Sequence, residues 1–232
     1  QVAPSIKYYK IFRNSVYNLI LPPPAGPIVV SSTHPDQDRW HPVNDLVLNW
    51  ASPFPVEGYS YILNDDPVDI PDNISEGLKI GAVYKGLSDG VHYFHIKASR
   101  NGVWGGVSHF GVKIQTSGPA DFKIDVSPGK RTSSKDAILS FETSDQISGI
   151  DHYEIKVISL SPSVQSQVDS SFSPLFFEVN SPYILKLPNY SSYDVILRAF
   201  NKAGNYTESS VRLKIIKLIF EWVNCTGLKI AG

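Results

Sequence analysis

The chain has 232 residues, and its 21 Lys and Arg against 22 Asp and Glu leave a formal net charge of −1. That balance excludes the basic footprint of a nucleic-acid binder and a polybasic membrane patch, while 42% hydrophobic and 19% charged residues exclude a disordered polymer. The single cysteine, Cys225, excludes an internal disulfide and a cysteine metal cluster.

The chain opens on Gln1, contains no Met and carries no signal-peptide pattern, which points to a processed product or a piece of a longer reading frame. Residues 1–27 read as an extension: Tyr8, Tyr9, Ile11, Val16, Tyr17 and Leu19 suit a strand or two left from a preceding domain. Pro22-Pro23-Pro24-Ala25-Gly26-Pro27 then forms a stiff, extended linker.

From Gly26 onward the chain repeats itself. Gly26-Pro27 opens Ile28-Val29-Val30, and Gly118-Pro119 opens the alternating Phe122, Ile124 and Val126. Leu48 and Trp50 correspond to Leu139 and Phe141, and a glycine eight residues after each aromatic, Gly58 or Gly149, introduces a third strand; the offset through these strands is 91 residues. Phe94-x-Ile96-x-Ala98 returns as Val195-x-Leu197-x-Ala199, and Phe110-x-Val112-x-Ile114 as Val211-x-Leu213-x-Ile215, both at an offset of 101. A constant offset over two separate strands marks a tandem duplication. The ten extra residues of the second copy fall in the Ser-rich stretch around Ser159 to Ser173.

Alternation with a period of two, bounded by Gly, Pro, Asn and Asp, predicts half-buried antiparallel strands. No segment keeps a helical period. Seven strands in about 95 residues, with turns every 8 to 12, is the arithmetic of a Greek-key sandwich. The expected organisation is an all-β chain of two tandem seven-stranded sandwiches over 28–117 and 118–217. A tail, 218–232, continues the last strand or starts a further element.

Trp50 followed by Pro53, Tyr59 and Tyr61, and Leu87-Ser88-Asp89-Gly90 running into Phe94-x-Ile96-x-Ala98, resemble a fibronectin type III domain. Ser31-Ser32-Thr33-His34-Pro35-Asp36, Trp40 and Gly58-Tyr59-Ser60-Tyr61 resemble, more narrowly, the fibronectin-like modules of bacterial envelope proteins. The second copy is similar to bacterial immunoglobulin-like repeats through Ser148-Gly149-Ile150-Asp151 and Arg198-Ala199-Phe200-Asn201-Lys202-Ala203-Gly204-Asn205. The resemblance implies immunoglobulin-like sandwiches, a cell-surface or secreted location and a bacterial source. In such folds a tyrosine opening the sixth strand bonds back across the corner. Tyr193 holds that place in the second copy, and His92 holds it in the first.

Catalysis finds little support: Gly-x-Ser-x-Gly and His-Glu-x-x-His are absent, and no helix follows a glycine-rich loop. Asp65, Asp66, Asp69 and Asp72 form a calcium-like cluster, but their spacing fits no EF-hand loop, and two prolines favour a solvated turn. His95 and His109 are expected on outward faces of neighbouring strands, exposed and short of a third zinc ligand. No metal and no cofactor is assigned. Trp40 and Trp104 are read as loop residues and as the candidate ligand contacts, able to stack on a sugar or anchor a protein partner, or else to fold down as lids on the core. Asn73-Ile74-Ser75, Asn189-Tyr190-Ser191, Asn205-Tyr206-Thr207 and Asn224-Cys225-Thr226 match the glycosylation acceptor pattern, which matters only in a eukaryotic secretory route. The function expected is structural, as spacer or adhesion modules beside flanking domains of a larger chain. The alternatives are carbohydrate-binding accessory modules of a secreted hydrolase, or receptor-like modules that bind a protein.

Overall fold

The computed structural model describes residues 22–160 and 175–218, together with one pair of two-residue strands, β1 (Ile11–Phe12) and β2 (Ser15–Val16). The rest of the N-terminal extension, most of the Ser-rich stretch, Cys225 and the tail beyond Leu218 lie outside the described residues. The chain divides into two compact units, Gln1–Gln115 and Thr116–Gly232.

The first unit has seven strands after β2: β3 (Ile28–Ser31), β4 (Trp40–His41), β5 (Leu46–Ala51), β6 (Gly58–Asn64), β7 (Gly81–Tyr84), β8 (Gly90–Arg100) and β9 (Val103–Ile114). They form a three-stranded sheet in the order β3-β5-β7 and a four-stranded sheet in the order β4-β9-β8-β6. The second unit has β10 (Asp125–Ser127), β11 (Arg131–Thr132), β12 (Asp136–Ser140), β13 (Ile150–Ser159), β14 (Phe177–Val179), β15 (Tyr183–Lys186), β16 (Ser192–Asn201) and β17 (Tyr206–Ile215). Its sheets run β10-β12-β15 and β11-β17-β16-β13-β14. The topology is the same in both units, including a two-residue strand (β4 or β11) that pairs parallel to the last strand. Both are immunoglobulin-like Greek-key sandwiches. The second carries an eighth described strand, β14, placed just after the inserted residues.

Alternation explains the cores. Phe94, Ile96 and Ala98 of β8 and Phe110, Val112 and Ile114 of β9 are buried, and so are their counterparts Val195, Leu197, Ala199, Val211, Leu213 and Ile215. Phe94 lies opposite Phe110, and Val195 opposite Val211, so the repeat extends to the pairing register. A one-residue slip would turn each set outward, and burying each of the Val, Leu, Ile and Phe side chains is worth about 1.5–3 kcal/mol. Trp50 closes the first core against Tyr61 and Phe94, with ring centroids 5.1 and 5.5 Å away.

The third strands correspond differently from the 91-residue offset expected for them. Tyr59 lies opposite Ala98, and Tyr153 opposite Ala199, so Tyr59 matches Tyr153 at 94 residues. Gly149, with φ of 81°, starts its strand early, and the register shifts by one residue between Ile150 and His152.

The proline run is extended and lies along β9. Pro24 O accepts the Gly106 N–H at 3.0 Å, and Ser108 Oγ donates to Pro27 O at 2.5 Å. A Cβ on Gly105 would sit 2.0 Å from Pro24 O, so glycine permits this approach. At the far end of β8, Asn101 and Gly102 have φ of 52° and 71°, the pattern of a two-residue type I′ hairpin turn into β9.

Residues 31–47, which cross from β3 to β5, are tied together by hydroxyls and a histidine. Ser31 Oγ donates to Val47 O (2.8 Å) and accepts the His34 N–H (2.9 Å), while Thr33 Oγ1 accepts the Val47 N–H (3.0 Å). The His34 side chain is 1% exposed, with Nε2 donating to Val43 O at 3.0 Å and Nδ1 at 2.9 Å from Thr33 Oγ1. Burial, helped by the neighbouring His41 ring, lowers its pKa from the ordinary 6.5 against the opposing Val43 bond.

Candidate functional site

The corner residues match their expectation. Tyr193, fully buried, donates from its hydroxyl to Asn189 O at 3.0 Å and accepts the Asn189 N–H at 3.2 Å. Burial raises the pKa of that phenol, against the backbone bond, and so keeps it a donor. In the first unit His92 Nε2 donates to Ser88 O at 2.8 Å, again four residues back. Its Nδ1 reaches Asp65 Oδ1 at 2.7 Å, so the histidine ties the corner and also pins the loop after β6.

That loop packs on the outer face of the first unit's four-stranded sheet. The outward residues of this face include Ser60 and Ile62 on β6; Tyr93, His95, Lys97 and Ser99 on β8; and His109, Gly111 and Lys113 on β9, each alternating with the core set. Ser60, His95, Lys97 and Ser99 are nevertheless buried. The loop is held over them by Asp66 O, which accepts from His95 Nε2 at 2.8 Å, and by Asp72 Oδ1, which accepts the Ser60 hydroxyl at 3.2 Å. Lys97 Nζ donates to Asn73 Oδ1 at 2.7 Å.

The expectation that His95 and His109 are both exposed is therefore half corrected. His109 is exposed, but His95 is 0% exposed because the Asn64–Asn73 loop folds back over it. The two rings meet at Nδ1, 2.6 Å apart; since His95 Nε2–H is committed to Asp66 O, in the neutral pair it is His109 Nδ1–H that donates.

The four carboxylates expected in a solvated turn each have a local task. Asp65 holds His92, Asp66 accepts the Val68 N–H, Asp69 accepts from Asn64 Nδ2, and Asp72 caps Ser60 and the Ile74 N–H. Among the described residues, no group of three or more His, Cys, Asp or Glu side chains is placed to hold a metal ion.

Trp40 and Trp104, expected in a loop and a connecting turn, both stand in strands. The tight Asn101-Gly102 turn lets β9 begin at Val103, and Trp40 belongs to β4, paired with Lys113. By register both point to the outer face of the same sheet, and both are half-buried. They flank opposite ends of β9, nine residues or roughly 30 Å apart along the strand. The Lys97 ammonium lies 5.4 Å from the centre of the Trp104 ring.

A second aromatic surface, unanticipated from the sequence, lies on the outer face of the second unit's five-stranded sheet. His152, Phe200 and Tyr206 form one row across β13, β16 and β17, with the first two rings parallel within 7° at 4.7 Å. The Arg198 guanidinium sits 3.8 Å from the Phe176 ring centre and 4.5 Å from that of Tyr206, and Arg198 Nε donates to Glu208 at 3.0 Å. Further along this face Arg212 grips Asp194 with two bonds of 2.7 and 3.0 Å, which hold the Asp194 carboxyl below its ordinary pKa. The signal was present as the outward half of the strand alternation, but exposed positions carry no pattern of their own.

The motifs that carry the resemblance in the second copy form a polar hub. Asn201, 1% exposed, donates from Nδ2 to Ser117 O (2.9 Å) and Asp145 Oδ2 (3.1 Å), and its Oδ1 accepts the N–H groups of Ala203 and Asn205. Asp145 Oδ1 accepts the N–H groups of Ile147, Ser148 and Gly149 at 2.9–3.1 Å.

Among the described residues no helix is long and apolar enough to cross a membrane. No protein-family model matches the sequence, and no curated protein matches it. The chain is similar to solved fibronectin type III structures. One is the pair of fibronectin(III)-like modules of Clostridium thermocellum CbhA, at 14% identity and TM-score 0.42 over 81% of this chain and 94% of that one. Another is the FN1–FN3 segment of chicken CNTN1, at 18% identity and TM-score 0.38 over 84% and 69% of the two chains. A third is a two-domain fibronectin type III segment of chicken tenascin, at 15% identity and TM-score 0.33 over 82% and 98%. The fold assignment itself rests on strand order and register, which place both units in the immunoglobulin-like class with fibronectin type III-like neighbours.

Proposed function

We propose that the two sandwiches are non-catalytic spacer or adhesion modules of a cell-surface or secreted protein of bacterial origin, joined to flanking domains of a larger chain. One observation carries this reading: the polar side chains most capable of chemistry are turned onto the chain's own backbone. His92 bonds Ser88 O, Tyr193 bonds Asn189 O, His34 bonds Val43 O and Asn201 bonds Ser117 O. Residues so committed fix corners and crossings. Replacing residues 22–218 in the full-length protein by an unrelated pair of sandwiches of equal length should leave its activity and display intact. Loss of either would overturn the spacer role.

The carbohydrate-binding alternative has one observation in its favour, namely that Trp40 and Trp104 share an outer sheet face, spaced for an extended chain rather than a single sugar. A panel of insoluble polysaccharides separates the readings. Saturable retention that Trp104→Ala or Trp40→Ala abolishes would favour the accessory role, and absence of retention favours the spacer.

A further inference from the structure

The turn that joins β8 to β9 holds the sequence's one Asn-Gly pair, Asn101-Gly102. Both residues are exposed, and Asn101 is the one non-glycine residue with positive φ among the described residues. An asparagine followed by glycine is open to attack on itself, because no side chain shields the glycine nitrogen from the asparagine Cγ. Here that nitrogen is held. The Gly102 N–H donates to Glu57 Oε2 at 3.0 Å, and Glu57 is fixed at the entrance to β6 by its own N–H, which donates to Ser99 O at 2.8 Å. Glu57 thus reaches from a different strand end to the one backbone atom that could attack Asn101.

We infer that Asn101 is a site of spontaneous deamidation and that Glu57 is the guard that sets its pace. Gly102 N gives its proton to solvent hydroxide and attacks Cγ of Asn101. The N–Cγ bond forms, the Cγ–Nδ2 bond breaks, and the departing nitrogen takes up a proton from water and leaves as ammonia. A water molecule then opens the cyclic imide at one of its two carbonyls, which leaves aspartate or isoaspartate; no electrons are transferred. The Glu57 carboxylate opposes the first step. Its hydrogen bond keeps the proton on Gly102 N, and its negative charge disfavours the anionic nitrogen that must form. The product reverses the situation. A new carboxylate on residue 101 faces Glu57 and is repelled by it, and isoaspartate adds a backbone carbon to a turn built for two residues. The same strand ends carry the anchors of the proline run, since Arg100 Nη2 donates to Pro22 O at 2.5 Å and Gly106 N–H to Pro24 O at 3.0 Å. Conversion of Asn101 therefore loosens the run from β9. The inference goes beyond the spacer reading and does not depend on it.

Ageing the purified full chain at mildly alkaline pH, followed by cleavage after lysine, tests this. The peptide of residues 98–113 should accumulate in a form about 1 Da heavier, with fragmentation placing aspartate and isoaspartate at residue 101. Glu57→Gln, which keeps an acceptor but removes the charge, should speed that conversion several-fold, and unfolding the wild type in urea should speed it further. Asn101→Gly, which suits the same turn, should yield no heavier form. Exchange of the Gly106 amide should quicken in aged wild type as conversion proceeds and stay constant in aged Asn101→Gly. Equal conversion in wild type and Glu57→Gln, or conversion of the native chain as fast as in urea, would overturn the inference. Faster Gly106 exchange in freshly purified Glu57→Gln would overturn it too, because the variant would then act by opening the hairpin and not through the Gly102 nitrogen.

Discussion

Tyr193→Phe isolates the corner bond of the second unit. The ring is fully buried and stays so in the variant, so the core is unchanged and only the hydroxyl is lost. That hydroxyl makes two contacts, donating to Asn189 O at 3.0 Å and accepting the Asn189 N–H at 3.2 Å. A net hydrogen bond is worth about 0.5–1.5 kcal/mol, and a partner left unsatisfied in the interior costs about 1–3 kcal/mol. Asn189 is exposed, so water can reach its backbone groups and the lower range applies. The expected loss is about 1 kcal/mol, equivalent to about 4–8 °C in the melting of a domain of this size.

The loss should be confined to the second unit. Hydrogen exchange read by mass spectrometry should show β16 and β17 amides exchanging several-fold faster, with β8 and β9 unchanged, and Trp50 fluorescence should report an unaltered first unit. A loss below about 0.3 kcal/mol, the scatter expected between unrelated sites, would show that the corner contact contributes nothing. Equal acceleration in both units would refute the argument that each sandwich holds its own corner.

Two further predictions concern the first unit. The lowered pKa of buried His34 means that the unfolded chain binds a proton near pH 6.5 and the folded chain only at lower pH. The associated stability is present above pH 6.5 and lost as the pH falls through the folded-state value. Urea midpoints of the wild type should therefore fall more steeply below that pH than those of His34→Gln, and parallel curves would count against the assignment. Gly105→Ala should dislodge the proline run, because its Cβ would meet Pro24 O at 2.0 Å and Pro24 Cγ at 2.7 Å. Overpacking of this kind costs about 1–3 kcal/mol. Faster exchange of the Gly106 amide is the specific readout, and unchanged protection there would show that the run rests only loosely on β9.

The contrast between Phe94 and His95 explains what could be read from the sequence. Phe94, Ile96 and Ala98 declare themselves because a core imposes one physical demand, apolarity, at every second residue, and the duplication repeats that demand at a constant offset. His95 and Lys97 occupy the intervening positions, where water is the default neighbour and the residue type is unconstrained by the sheet. What buries them is a loop whose path depends on His92, Asp66 and Asp72 reaching particular backbone and side-chain atoms. No periodicity encodes such a path. The third strand shows the same boundary within the repeat itself: Gly149 marks where it begins, but the early start and register shift make Tyr153, not Ile150, the partner of Tyr59. The two tryptophans escape the alternation for a related reason. Trp104 enters β9 because Asn101 and Gly102 accept positive φ and close the hairpin in two residues, and Trp40 becomes a strand residue only through its parallel partner Lys113, seventy-three positions away. Local chemistry therefore set the corners, alternation set the cores, and the outer faces, where any binding must occur, were set by contacts distant in the chain.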